Sequence, residues 1–85
     1  MNNNLSIHLV EQMLLGKQTV QESLERMKDI SESPYYSVVM RVIKSYKNYK
    51  EDSRKKNDFI DNLRHFLLII DVKIQVSKEI FNLVN

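Results

Sequence analysis

Apolar residues along this chain recur at helical spacing, not at the alternation of a strand. From Leu5 to Leu15, Leu5, Leu9 and Met13 fall every fourth residue with Val10 and Leu14 beside them, which is one face of a helix. Asn4 or Ser6 is placed to cap its start, and Gly16 suits the left-handed position past its last turn. A second helix is predicted from Val20 to Ser31 on the stripe Val20, Leu24, Met27 and Ile30. Thr19, with Glu22 three residues on, fits a capping box at its start. Only Gly16-Lys17-Gln18-Thr19 lies between the two segments, so residues 1–33 are expected to form an antiparallel helical hairpin.

A third segment opens at Ser33-Pro34, a cap followed by proline at the first helical position. It carries Tyr35, Val38, Val39, Val42, Ile43, Tyr46 and Tyr49, and this β-branched and aromatic content makes a strand the competing reading. Helix is preferred because the pattern does not alternate and no turn signal intervenes before Asp52-Ser53. The fourth segment runs from Asp58 to Val84 with Asn57 as its cap. Ile60, Leu63, Leu67, Ile70, Ile74, Ser77, Phe81 and Val84 keep heptad spacing, and only Ser77 is not apolar. Such a helix, about 27 residues long, would span roughly 40 Å. Its apolar run Phe66–Ile70 is expected to be the most buried part of the molecule. The same heptad counted backwards reaches Lys56, Ser53, Tyr49, Tyr46, Val42, Val39 and Tyr35, so helices three and four could form one rod. A break over residues 52–57 is favoured, because Lys56 and Ser53 would put polar groups in the seam. The expected fold is all-α: one helical domain over 1–85, in which residues 34–85 add two helices to the hairpin and the C-terminal one is long and central.

Composition narrows the function classes. At 85 residues the chain is one domain. One glycine and one proline leave few breakers, and the absence of cysteine excludes disulfides, thiol nucleophiles and Cys-based zinc sites. The start, Met1-Asn2-Asn3-Asn4, lacks the pattern of a signal peptide. The longest wholly apolar run, Phe66–Ile70, is far below the roughly 20 residues of a membrane span. A cytoplasmic protein without a membrane partner is therefore expected. Because the apolar seam is longer than two short N-terminal helices can cover, a homo-oligomer is expected too.

Candidate chemistry is sparse. His8 and His65 lack the spacing of HExxH, and no phosphate-binding loop or nucleophile elbow is present. Both histidines read as helix-surface residues, and Asp58 and Asp61 as charges favouring the positive end of the fourth helix. No enzyme activity, catalytic residue, metal or cofactor is expected. Charge is more informative. Residues 1–33 carry three cations against five anions, 41–56 seven against two, and 57–85 three against four. The basic middle is Arg41, Lys44, Lys47, Lys50, Arg54, Lys55 and Lys56, with Tyr46 and Tyr49 interleaved. Such a face either tracks the phosphates of nucleic acid, or another acidic partner, or is a solvated surface whose long side chains screen an apolar stripe. The second is favoured, since no DNA-reading motif accompanies the charge. A helix-turn-helix built on the first two segments fails because the second is acidic. At the hairpin tip, Lys17, with Glu11, Gln18 and Glu22 nearby, is the favoured contact set for a partner protein.

The opening Met1-Asn2-Asn3-Asn4-Leu5, with Leu9-Val10-Glu11-Gln12-Met13-Leu14-Leu15-Gly16-Lys17-Gln18-Thr19-Val20, resembles the small prophage-encoded YqaH proteins of spore-forming Gram-positive bacteria. The resemblance covers the hairpin best, and a helix followed by Gly-Lys-x-Thr and a second helix is a generic pattern. It implies a regulatory protein that binds and antagonises the host replication initiator DnaA, with the sporulation regulator Spo0A as a further partner. A small basic nucleic-acid-binding protein using residues 41–56, or a structural helical oligomer, are the alternatives from other classes.

Overall fold

The computed structural model describes residues 3–70 and 74–84, with side chains from Leu5 onward. Among them the chain is helical with short turns and no strand. Helix α1 spans Asn3–Leu14 and α2 spans Val20–Arg26, which tightens into a 3-10 turn over Met27–Ile30. Helix α3 spans Tyr36–Glu51. A 3-10 turn over Ser53–Lys55 leads into α4, Lys56–Ile70, and α5 spans Ile74–Asn82.

The boundaries follow from local chemistry. Gly16 takes a φ of 77°, its amide donating to the Met13 carbonyl (3.1 Å) while the Lys17 amide donates to the Gln12 carbonyl (2.9 Å). This paired return to the last turn is the Schellman stop, and it needs a residue tolerant of left-handed backbone. The capping box at α2 is formed: the Thr19 hydroxyl accepts from the Glu22 amide at 3.0 Å, and the Glu22 carboxylate accepts from the Thr19 amide at 2.9 Å. The Ser33 hydroxyl accepts from the Tyr35 amide at 3.0 Å, which closes a turn ahead of the helix; contrary to expectation Ser33 is not the cap and Pro34 not the first helical residue, because regular helix begins at Tyr36 with Tyr35 at the N-cap position and no side-chain cap. Asp52 is extended (φ −148°, ψ 106°) and breaks the rod between α3 and α4.

The core joins Leu9, Val10 and Met13 of α1, Met27 and Ile30 after α2, Val38, Val39, Val42 and Ile43 of α3, and Phe59, Leu63, Phe66, Leu67 and Ile70 of α4; Ile80 of α5 closes it. Helix α3 packs most extensively against α4. Three aromatic rings meet at that seam: Tyr49 stacks on Phe59 at 5.7 Å, and Tyr46 tilts against Phe59 at 5.1 Å.

The structure departs from the sequence expectations in five further places. The fourth segment is described as α4 and α5, with residues 71–73 between them outside the described residues, and α3 rather than the C-terminal helix is the longest described. Beyond Ile70 the seam holds only in part: Phe81 and Val84 pack against the core, but Ile74 is 75% exposed, while Ile80, outside the heptad set, is fully buried. Within α4 the buried set includes Phe59, whereas Ile60 is only half-buried. The run Phe66–Ile70 is buried at Phe66, Leu67 and Ile70, but Ile69 is exposed and Leu68 is 80% exposed, because one helix face alone meets the core. Finally, Ser6 is no cap: it lies inside α1, fully buried, its hydroxyl without a hydrogen-bond partner. The Asn4 side chain, the other candidate cap, lies outside the described residues, as do residues 71–73.

Candidate binding surfaces

The hairpin tip is held by backbone geometry on both sides. The Gln12 carbonyl accepts from both Lys17 and Gln18 amides, at 2.9 and 3.2 Å, and the capping box follows at once. Lys17 stands exposed on this fastened turn. The other three residues expected at the tip differ from it. Glu22 is exposed, but its carboxylate is already bonded to Thr19; that bond, with the Thr19 backbone amide first among causes, holds its pKa below the ordinary value. Gln18 is half-buried with its side-chain oxygen enclosed and unpartnered, and Glu11 is half-buried on α1. Of the four, Lys17 alone presents an exposed side chain with its polar head unoccupied.

The basic middle divides. Arg41, Lys44, Lys47 and Lys50 are all exposed along α3. Lys50 lies over the Tyr46 ring at 5.8 Å, a cation–π contact. Arg54 is occupied: Nε and Nη2 donate to the two Asp52 oxygens, each at 3.1 Å, and its amide donates to Oδ1 at 3.0 Å. This clasp, chiefly through the side-chain bonds, pulls the Asp52 carboxyl down and raises the Arg54 pKa. Lys55 is exposed and Lys56, at the start of α4, is half-buried. Tyr46 and Tyr49 are not free platforms, because their rings pack on Phe59.

His8 and His65 are exposed on α1 and α4, and Asp58 and Asp61 are exposed in the first turns of α4. Among the described residues no group of three or more His, Asp or Glu side chains could hold a metal ion. No described helix is long and apolar enough to cross a membrane.

Two features were not foreseen from sequence. The Asp52–Arg54 clasp was signalled by an acidic side chain two residues ahead of an arginine in a turn. The exposed apolar trio Leu68, Ile69 and Ile74 carried no such signal, since periodicity assigned part of it to the core. No family model, curated protein or solved structure matches the chain significantly.

Proposed function

We propose that this protein is a non-enzymatic, prophage-encoded regulator that acts in the cytoplasm by binding a host regulatory protein. The DnaA-type replication initiator is the partner to which the resemblance of its N-terminal hairpin points, with the sporulation regulator as a second. The observation that supports this reading is the exposed Lys17 on a turn fixed by a Schellman stop and a capping box. A rigid tip loses little conformational entropy on docking, so a single charged contact there counts for more than on a mobile loop. Bound at a surface the initiator uses for self-assembly, a small helical domain need not touch DNA to inhibit.

The test is binding of the parent chain and of Lys17→Glu to the purified initiator. Lys17→Glu is expected to keep its helical circular dichroism and melting temperature while binding at least about tenfold more weakly, about 1.4 kcal/mol. Equal binding by the variant would show that the hairpin tip is not the contact. No binding by the parent would remove the initiator as partner.

Self-association belongs to the same proposal, with its seam relocated. The most exposed apolar side chains available to a second copy are Leu68, outside the heptad set, and Ile74, within it.

A further inference from the structure

Of the α3 cations, Lys50 alone among the described residues has a partner inside the fold, the Tyr46 ring. Arg41, Lys44, Lys47 and Lys50 follow one another every third residue, so each step rises about 4.5 Å and turns about 60° around the helix. They therefore fan across its outer half. The inner half is closed without them: Val39, Val42 and Ile43 are fully buried against the rest of the core. Screening of an apolar stripe by long side chains, the ordinary reason for lysines on a helix, thus accounts for Lys50 over Tyr46 and not for Arg41, Lys44 and Lys47. Ser37 and Asn48, both exposed, share the outer face with them.

Among the described residues no carboxylate pairs with this face. Among the described residues the one ion pair joins Asp52 to Arg54. With that pair set aside, residues 41–56 hold six cations against Glu51 alone.

We propose that the outer face of α3 is a docking surface for the phosphate backbone of duplex nucleic acid, bound without regard to sequence. Its cations donate hydrogen bonds and accept none, as phosphate oxygens require. A protein partner would call for apolar or aromatic anchors at the centre of the surface; Tyr46 and Tyr49 are packed on Phe59, and the exposed Tyr36 stands at the start of α3, five residues before Arg41. One exposed ring at the end of the face is too little for the successive base stacking that a single strand exploits, which favours the duplex.

The experiment titrates the full chain into a fluorescently labelled duplex DNA of about 20 base pairs, followed by anisotropy, from about 50 to about 200 mM salt. Four phosphate contacts give a log–log slope near −3.6, so affinity falls about 100-fold over that range. Arg41→Gln with Lys44→Gln, both exposed, should leave circular dichroism and melting unchanged and make the slope shallower by about two. The charge-matched pair Lys28→Gln with Lys78→Gln, on other elements, should leave the slope as it is. Three results would overturn the proposal: no duplex binding at the lowest salt, equal losses from the two double variants, or tighter binding of single-stranded DNA or poly-glutamate than of the duplex.

Discussion

Three serines are buried, and they differ in one respect. The Ser23 hydroxyl donates to the Thr19 carbonyl at 2.9 Å and the Ser45 hydroxyl to the Val42 carbonyl at 3.0 Å, whereas that of Ser6 has no partner. An unpaired buried hydroxyl costs roughly 1 to 3 kcal/mol, and alanine is the better helix former. Ser6→Ala is therefore expected to stabilise the protein by about 1 kcal/mol in urea denaturation, with Ser23→Ala close to neutral. Destabilisation by Ser6→Ala would show that its hydroxyl is satisfied in solution. Gly16 gives the opposite case. A Cβ there would meet nothing within 4 Å, so Gly16→Ala tests backbone conformation alone. The φ of 77° predicts a loss of about 1 kcal/mol by the same measurement. Gly16 was legible in the sequence because its conformational demand is local. Ser6 was misread as a cap for a related reason: capping and burial use the same residue type, and only the tertiary surroundings tell them apart.

At the scale of elements, the start of α2 makes a pH-dependent prediction. The Glu22 carboxylate is ionised more readily in the folded chain, first because the Thr19 amide donates to it. A depressed folded pKa means that its stabilisation is complete above the ordinary glutamate pKa, about 4.3, and fades as pH falls through the lower folded value. Glu22→Gln keeps an acceptor oxygen but has no charge to lose, so its stability should change less than the parent's between about pH 5 and pH 2. Parallel curves from thermal melts would show that the box does not depend on the charge. Thr19→Ala, which removes the hydroxyl acceptor, should cost about 1 kcal/mol at neutral pH. Capping signals such as these, and the break at Asp52, were readable because each depends on residues within one turn. The burial pattern beyond Ile70 was not. Heptad spacing reports which residues share a face of a helix and carries no information about which neighbours that face meets. Phe59 escaped for a similar reason: it stands one position before the counted seam, and its burial depends on Tyr46 and Tyr49 reaching across from α3. The tip site was legible only in part. Lys17 is exposed, but the inward turn of Gln18 and the use of Glu22 as a cap depend on how the hairpin closes.

On the scale of the whole molecule, one helical pair holds most of the core. A domain of this size has a total stability of only about 4 to 13 kcal/mol. Phe59→Ala at the α3–α4 seam, expected to cost 3 to roughly 5 kcal/mol, should bring it close to unfolding at 37 °C by circular dichroism. Leu68→Lys, at an exposed position, should change stability by less than about 0.5 kcal/mol and yet lower any self-association seen in sedimentation. An association constant unaltered by Leu68→Lys would place contact between copies elsewhere. The α3–α4 seam has a further effect, on the route to the folded state. Its two helices are joined through Asp52 and a three-residue turn, so bringing them together closes only a short loop. Such nearness in sequence lowers the entropic barrier, and helical domains of this kind fold in microseconds to milliseconds. The pair is therefore expected to nucleate folding, with α5 docking afterwards. Stopped-flow or temperature-jump kinetics on Ile43→Val and Ile80→Val, both fully buried, would separate the two stages. The first should slow folding, with a φ-value of about 0.5 to 0.8, and the second should mainly speed unfolding, with a value of about 0 to 0.3.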